Sequence, residues 1–226
     1  MQWSWIPQNW SIIWPYTLDN LLLGLVPPLL GLVIAVPVGI ACVARRWLYP
    51  PVLSLTSALY ALPSLALFVV LIAYTGLGNL TVIIPLTLFS LCVLIPNVVD
   101  GLRSVAEPVR QAATAMGFTQ LRRLVQVELP LAVPVVIAGL RVAVVSSISL
   151  ASLGQLIGVS SLGYFFIDGL QRDFPTEIYV GLGLTIILAL VCDLILVTAR
   201  TLLTPWARGR RVAPSPLTPG PPVVVR

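Results

Sequence analysis

Side chains that could carry out chemistry are scarce in this sequence. It contains no histidine, which removes the commonest general base, proton relay and metal ligand. The three cysteines, Cys42, Cys92 and Cys192, stand apart inside apolar runs, and no two have the spacing of metal ligands. There is no GxxxxGK[ST] phosphate loop and no cluster of carboxylates. We therefore expect no catalytic, cofactor-binding or metal-binding residue in this chain.

Two charged residues lie inside apolar runs. Arg141 follows Leu131 by ten residues, and Asp193 precedes Leu203 by ten, so both lie about 15 Å from the end of a run at 1.5 Å per residue. A lone charge at that depth in a bilayer is costly, and the matched depth predicts a buried charge pair. The alternative is that Arg141 faces a water-filled cavity while Asp193 bonds nearby hydroxyl groups.

Ser146, Ser149 and Ser152 recur at every third residue of the fourth apolar run. Steps of three advance a helix by 300°, so the serines spread over an arc of about 120°. A polar side of that width suits a translocation pathway. Small residues also let helices approach closely, and the serines fit that role nearly as well.

The elements that carry these residues are membrane spans. The chain is 58% hydrophobic and only 9% charged, whereas about a quarter of the residues in a soluble domain are charged. Its apolar residues fall into five runs, each close to the length of about 20 residues that crosses a bilayer. The runs are 18–43, 53–74, 80–99, 131–157 and 178–203. We predict an all-α integral membrane protein whose first span bends or breaks at Pro27 and Pro28.

Arginine counts predict the orientation of the spans. With the amino terminus outside, eleven of the thirteen basic residues fall on the inner side, Arg172 falls outside, and Arg141 lies within a span. Basic residues favour cytoplasmic loops, so we predict an N-out, C-in protein. The same bias accounts for the net charge of +5 without a nucleic-acid partner.

The ends of the chain differ in composition from the spans. Residues 1–17 contain four tryptophans and are predicted to lie at the outer membrane interface before the membrane domain of residues 18–203. Residues 204–226 are rich in proline and lack apolar periodicity, which predicts a disordered cytoplasmic tail.

A hydrophilic loop, residues 100–130, separates the third and fourth spans. Residues 104–116 are predicted to form a short helix that Gly117 ends with a positive φ angle. Thr119 can cap a second short helix, which Pro130 is expected to close. The alanines of the first helix, with its neighbouring methionine and phenylalanine, make a small apolar knob that suits a groove on a partner protein.

The same loop resembles the cytoplasmic motif of bacterial ABC importer permeases. That motif is Glu-Ala-Ala, three residues, Gly, nine residues, Ile, one residue and Leu-Pro. Here the matching residues are Gln111, Ala112, Ala113, Gly117, Val127, Leu129 and Pro130. Gln111 in place of glutamate and Val127 in place of isoleucine depart from it, so a contact that depends on charge at position 111 is in doubt.

The resemblance implies a type I ABC importer permease fold of about five transmembrane helices in the bacterial cytoplasmic membrane. It implies that the loop docks on a dimer of ATP-hydrolysing subunits, which use the ATP. It also implies a second permease subunit, identical or a sister chain, and an extracytoplasmic substrate-binding protein. The expected docking residues are Gln111, Ala112, Ala113, Met116, Gly117, Phe118, Leu129 and Pro130.

Three stretches, residues 62–71, 113–145 and 156–166, further resemble the permeases for glycine betaine, choline and related osmoprotectants. Tyr164, Phe165 and Phe166 in the last stretch could attract a quaternary ammonium by cation–π contact. An importer of another small solute, such as an amino acid, is the alternative. A secondary transporter or channel would show an internal repeat and more ionisable residues, and an enzyme would need catalytic groups that are absent here.

Overall fold

The structure is a computed structural model, and it describes residues 4–206. Every regular element in that range is helical. The predicted tail, from residue 207 onward, lies outside the described residues. The helices are α1 (Trp5–Gln8), α2 (Trp10–Ala44), α3 (Tyr49–Tyr60), α4 (Ser64–Thr75), α5 (Asn79–Arg103), α6 (Glu107–Ala115), α7 (Gln120–Arg123), α8 (Leu129–Ala151), α9 (Gly163–Gln171) and α10 (Pro175–Leu203).

Four helical stretches in the described part of the chain are long and apolar enough to cross a bilayer. They are α2, α5, the continuous stretch Gln120–Ile157 that contains α8, and α10. The remaining predicted run is not one straight span, because its helices α3 and α4 meet at an angle of 91°. Pro63 lies at this break with extended backbone angles and has no N–H to continue the helix.

Helices α2 and α5 run in the same direction. A Cβ atom on Gly31 would lie 3.0 Å from Ser90, and one on Gly39 would lie 2.5 Å from Val98, so residue numbers rise together along both helices. The chain must therefore return across the bundle between them. The bent pair α3–α4 makes this return, which supports five crossings.

Helix α8 runs antiparallel to α5 and packs closely on both α5 and α2. A Cβ atom on Gly139 would lie 2.6 Å from the Asn97 side chain, and one on Gly24 would lie 2.5 Å from Ile148 Cγ1. Glycines at these positions let the helices approach within side-chain contact distance, as is common in membrane bundles.

Asn20 fixes the end of this three-helix core. It is fully buried, and its Nδ2 donates to the Ile148 carbonyl at 3.2 Å. Its Oδ1 accepts from the Ser152 hydroxyl at 3.4 Å and from the Leu162 amide at 3.3 Å. The amide therefore ties α2 to the end of α8 and to the connection that leads into α9.

The first span corrects two expectations. Helix α2 is continuous through Pro27 and Pro28, which are buried against the bundle, where packing stabilises a helix that has lost backbone bonds. The helix also begins at Trp10, so the second half of the predicted interfacial segment belongs to it. Trp10 and Trp14 are each 52% exposed.

Arginines that were predicted to lie on the inner side of the membrane are found at one end of the bundle. The Arg103 guanidinium lies 4.7 Å from the Tyr49 ring centre, and Arg110 Nη2 donates to the Leu102 carbonyl at 2.7 Å. At the other end, Arg172 pairs with Asp168 at 3.1 Å. The two ends of the bundle therefore differ in charge. The N-out, C-in orientation stays a prediction.

Replacing Gly24 with alanine should lower the thermal midpoint of the purified chain. The added methyl group would overlap Ile148, and overpacking of this kind costs about 1–3 kcal/mol. Gly183→Ala is the matched control, because no atom lies within 4 Å of its added Cβ, and it should leave the midpoint unchanged or slightly higher. Equal midpoints for the two variants would contradict the close contact between α2 and α8.

Candidate functional site

The loop between the third and fourth spans forms the predicted first helix and elbow. Helix α6 begins at Glu107, three residues later than expected, with Pro108 in its first turn. Gly117 has a φ angle of +83°, which confirms the predicted positive value. The Phe118 amide donates to the Ala113 carbonyl at 3.2 Å and the Gly117 amide to the Thr114 carbonyl at 3.0 Å, which closes the turn.

The second predicted helix starts as expected but does not end at Pro130. Thr119 Oγ1 accepts from the Arg122 amide at 3.4 Å and caps α7. Residues Leu124–Glu128 then form a π-helical turn that continues directly into α8. The prediction was wrong because the helical stretch Gln120–Ile157 continues through Pro130. A π turn such as the one at Leu124–Glu128 is a local adjustment by which membrane helices accommodate a proline.

The docking knob is formed by fewer residues than predicted. Gln111 and Ala112 are exposed, and Met116 is 70% exposed. Ala113 is buried, so it supports the turn and is not part of the surface. Leu121 of α7, which the motif does not include, is 72% exposed and adds apolar surface to the same loop.

Three other expected docking residues hold the loop from within. Phe118 is partly buried, with the Arg122 guanidinium 4.7 Å from its ring centre. Leu129 and Pro130 are partly buried in the first turn of α8. These three residues therefore stabilise the loop beneath the knob and add little to its exposed surface.

Glu128 joins the knob to the fourth span. Its side chain is 7% exposed, and its Oε1 accepts from Arg123 Nε at 2.8 Å. Its Oε2 lies 3.7 Å from Arg110 Nη2, which belongs to α6. Arg123 Nη1 also donates to the Thr114 hydroxyl at 3.0 Å. This set, the Glu128 clamp, links α6 to the helical stretch that becomes α8.

Sequence reasoning missed Glu128 because the motif treats its position as a spacer. The available signal was a carboxylate placed directly before an apolar run, in a loop that contains four arginines. Such a carboxylate cannot enter the bundle without a partner.

Arg141 and Asp193 form the predicted pair between α8 and α10. Arg141 Nε and Nη2 donate to the two Asp193 carboxylate oxygens, each at 2.7 Å. This two-point geometry is the strong form of the contact. The pair therefore forms as predicted. Its side chains are 32% and 28% exposed, so it is not buried within the single chain.

The three pathway serines do not share one environment. Ser146 and Ser149 are exposed, whereas Ser152 is 8% exposed and bonds to Asn20 in the core. Ser152 is therefore a packing residue. The neighbouring Ser147, which was not predicted, is buried, and its hydroxyl has no partner in the described part of the chain.

Ser147 borders a water-sized cavity of about 20 Å³ beside the break between α3 and α4. Tyr60, Phe89, Ser90 and Ser146 also line it. The Tyr60 and Phe89 rings meet edge to face, with centres 6.1 Å apart. Tyr60 and Ser146 are exposed, so the cavity opens at the surface of the single chain.

Two of the three aromatic residues predicted to contact a cation already pack against other rings. Phe165 is fully buried, and Tyr164 stacks on Tyr16 with ring centres 4.5 Å apart. Burial raises the pKa of Tyr164 above its ordinary value. Phe165 and one face of Tyr164 are therefore closed to a ligand, and the cation contact of Phe166 stays a prediction.

The sequence and fold match known transport proteins. The family model for binding-protein-dependent transport system inner membrane components matches residues 10–209. The osmoprotectant import permease protein OsmW of Salmonella typhimurium is 33% identical over 181 residues, covering 78% of this chain and 84% of that protein. The choline transport system permease protein OpuBB of Bacillus subtilis is 31% identical over 194 residues, covering 86% and 89%.

The carnitine transport permease protein OpuCB of Listeria monocytogenes is 34% identical over 191 residues, covering 84% of this chain and 88% of that protein. Among solved structures, an inward-facing form of the MetNI methionine ABC transporter gives a TM-score of 0.76 at 22% identity, covering 88% of this chain and 98% of that one. At this identity the structural match concerns the fold alone.

This chain belongs to the binding-protein-dependent transport system inner membrane components. It has the type I ABC importer permease fold and is the membrane-spanning subunit of such an importer, located in the inner membrane. Members of this family are transport subunits that work with a binding protein.

Glu128→Gln should loosen α6 from the rest of the loop. It removes the charge that Arg110 and Arg123 share, and a bond to a charged group contributes about 1.5–3 kcal/mol. Amide hydrogen exchange in residues 107–115 should then rise about ten- to a hundredfold.

Glu107→Gln is the matched control for this change. Glu107 lies 4.0 Å from Arg110 and its side chain is 67% exposed, so its loss should leave exchange nearly unchanged. If both variants exchange at the same rate, the Glu128 clamp does not hold the loop.

Proposed function

We propose that this chain imports small quaternary-ammonium osmoprotectants, such as choline or glycine betaine, as the permease of an ATP-driven importer. The observation that carries this proposal is the likeness to OsmW, OpuBB and OpuCB, at 31–34% identity over 78–86% of the chain. The methionine transporter shares the fold but only 22% of its residues, so it gives no support for an amino-acid substrate.

The protein partners of this chain are inferred from its exposed surfaces and its number of spans. A dimer of ATP-hydrolysing subunits docks on the knob of Ala112, Met116 and Leu121, because exposed apolar groups in a hydrophilic loop need a covering surface. Those subunits bind and use the ATP, and this chain carries no cofactor. A second permease, identical or a sister chain, completes the pathway, since five spans are too few to enclose one. A substrate-binding protein delivers the solute at the opposite end.

The orientation in this proposal is N-out, C-in. It is supported by the clustering of Arg103, Arg110 and Arg123 at the end that carries the knob, because arginine favours the cytoplasmic side. This end is then the one that a cytoplasmic ATPase can reach.

Coupling passes from the knob to α8. Closure of the ATPase dimer moves α6, and the rigid turn at Gly117 together with the Glu128 clamp carries that movement into the stretch 120–157. Helix α8 bears Ser146 and Ser147 beside the cavity of Tyr60 and Phe89. Movement of α8 against α5 would open or close this region, which changes the side from which the solute has access.

Uptake into vesicles that contain the assembled importer tests the substrate. Radiolabelled choline or glycine betaine should accumulate only with ATP and binding protein present, and methionine should neither accumulate nor compete. Accumulation of methionine without that of any quaternary ammonium would contradict the substrate class. Choline uptake that needs no ATPase would contradict the importer itself.

Two substitutions of Gly117 test the role of the turn in the same uptake assay. Gly117→Val should abolish transport, because a β-branched residue is strained at a φ angle of +83°. Gly117→Asn should retain most of it, because asparagine tolerates this conformation.

A further inference from the structure

The end of the bundle that carries the knob also has a basic cavity, of which the proposed coupling uses only Arg110. It has a volume of about 490 Å³ and is lined by Val43, Arg46, Arg103 and Arg110. These residues come from the end of α2, the 3₁₀ turn that follows it, the end of α5 and the middle of α6. Three guanidinium groups from separate elements therefore border one space.

The charge in this cavity is largely uncompensated. No carboxylate in the described part of the chain lies within 4.0 Å of Arg46 or Arg103. Arg110 is partly neutralised by Glu107 at 4.0 Å and Glu128 at 3.7 Å. Its Nε is nevertheless buried and has no acceptor among the described residues. An anion in the cavity would satisfy these groups.

The cavity is built to hold its arginines in place. The Arg103 guanidinium lies over the Tyr49 ring at 4.7 Å, and Arg110 Nη2 donates to the Leu102 carbonyl at 2.7 Å. Both contacts restrict the side chains before any ligand binds. A site prepared in this way loses less conformational entropy on binding.

The surroundings place this cavity at the membrane surface. Val43 and Arg103 belong to the last turns of two spans, which is the level of lipid headgroups. Trp47, next to Arg46, is 69% exposed, and exposed tryptophan favours the interface between membrane and water. Basic pockets between span ends bind anionic lipid headgroups in other membrane proteins.

We propose that the cavity of Arg46, Arg103 and Arg110 binds the phosphate headgroup of an anionic membrane phospholipid. The guanidinium groups contact the phosphate oxygens, and the acyl chains extend into the bilayer beside the bundle. The knob of Met116 and Leu121 supplies a separate apolar surface for the ATPase, so the cavity does not need a protein to fill it.

Lipid retention by the full-length chain tests this site, both alone and with its ATPase subunits bound. The chain is placed in nanodiscs with equal amounts of phosphatidylglycerol and phosphatidylcholine, and the lipids that remain bound are identified by native mass spectrometry. Wild type should retain phosphatidylglycerol in preference. The double variant R46Q/R103Q should reduce this preference by about fivefold for each arginine removed.

Two single variants keep the test specific. Arg46→Lys retains the charge and should keep the preference. Arg200→Gln removes one arginine from the last turn of α10 at the same end, outside the cavity, and should also keep it. The proposal is overturned if R46Q/R103Q retains the wild-type preference, or if Arg200→Gln lowers it as much as Arg46→Gln does.

Competition experiments distinguish a lipid headgroup from the other groups that could fill the cavity. Inorganic phosphate, compared with chloride at equal ionic strength, should not displace the retained phosphatidylglycerol. Displacement by phosphate alone would make the cavity a site for a free anion. A preference that disappears when the ATPase subunits bind would make the cavity part of the protein interface. Either result overturns the proposal.

Discussion

The close packing of α2, α5 and α8 is the constraint on which the rest of this structure depends. Glycines at the crossing points allow contacts that any larger residue would prevent, as Gly24 against Ile148 and Gly139 against Asn97 illustrate. In lipid no hydrophobic force drives helices together, so such fit has to supply the association. Asn20 adds hydrogen bonds that join the end of α8 to α2. Because this core is rigid, movement at one end of α8 is transmitted along the whole helix.

In the proposed function, the hydrophilic loop of residues 100–130 makes use of that rigidity. Its surface is a small knob around Met116, but its mechanical connection is the buried carboxylate of Glu128. The helical stretch from α7 through the π turn into α8 is unbroken, so no flexible hinge separates the loop from the span. A partner that moves α6 therefore moves the fourth span, and the parallel arrangement of α2 and α5 gives α8 a fixed surface to move against.

Much of this fold could be predicted from the sequence because hydropathy and arginine placement are direct consequences of the bilayer. The predicted runs 18–43, 80–99 and 178–203 correspond to α2, α5 and α10, with α5 four residues longer at its end. The bend between α3 and α4 could not be predicted, because Pro63 resembles the prolines that α2 accommodates, and only packing decides between the two. Helix periodicity likewise placed Ser152 with Ser146, whereas the contact with Asn20, which is distant in sequence, separates them.

Cross-linking from the knob tests the central claim, that the ATPase acts through this loop. In a chain whose Cys42, Cys92 and Cys192 are replaced by serine, Met116→Cys should cross-link to the ATPase subunit of the active importer. Tyr74→Cys, at a residue 84% exposed compared with 70% for Met116 but at the opposite end of the bundle, should not. An importer that transports its solute while Met116→Cys fails to cross-link, or while Tyr74→Cys cross-links as well, would contradict this account.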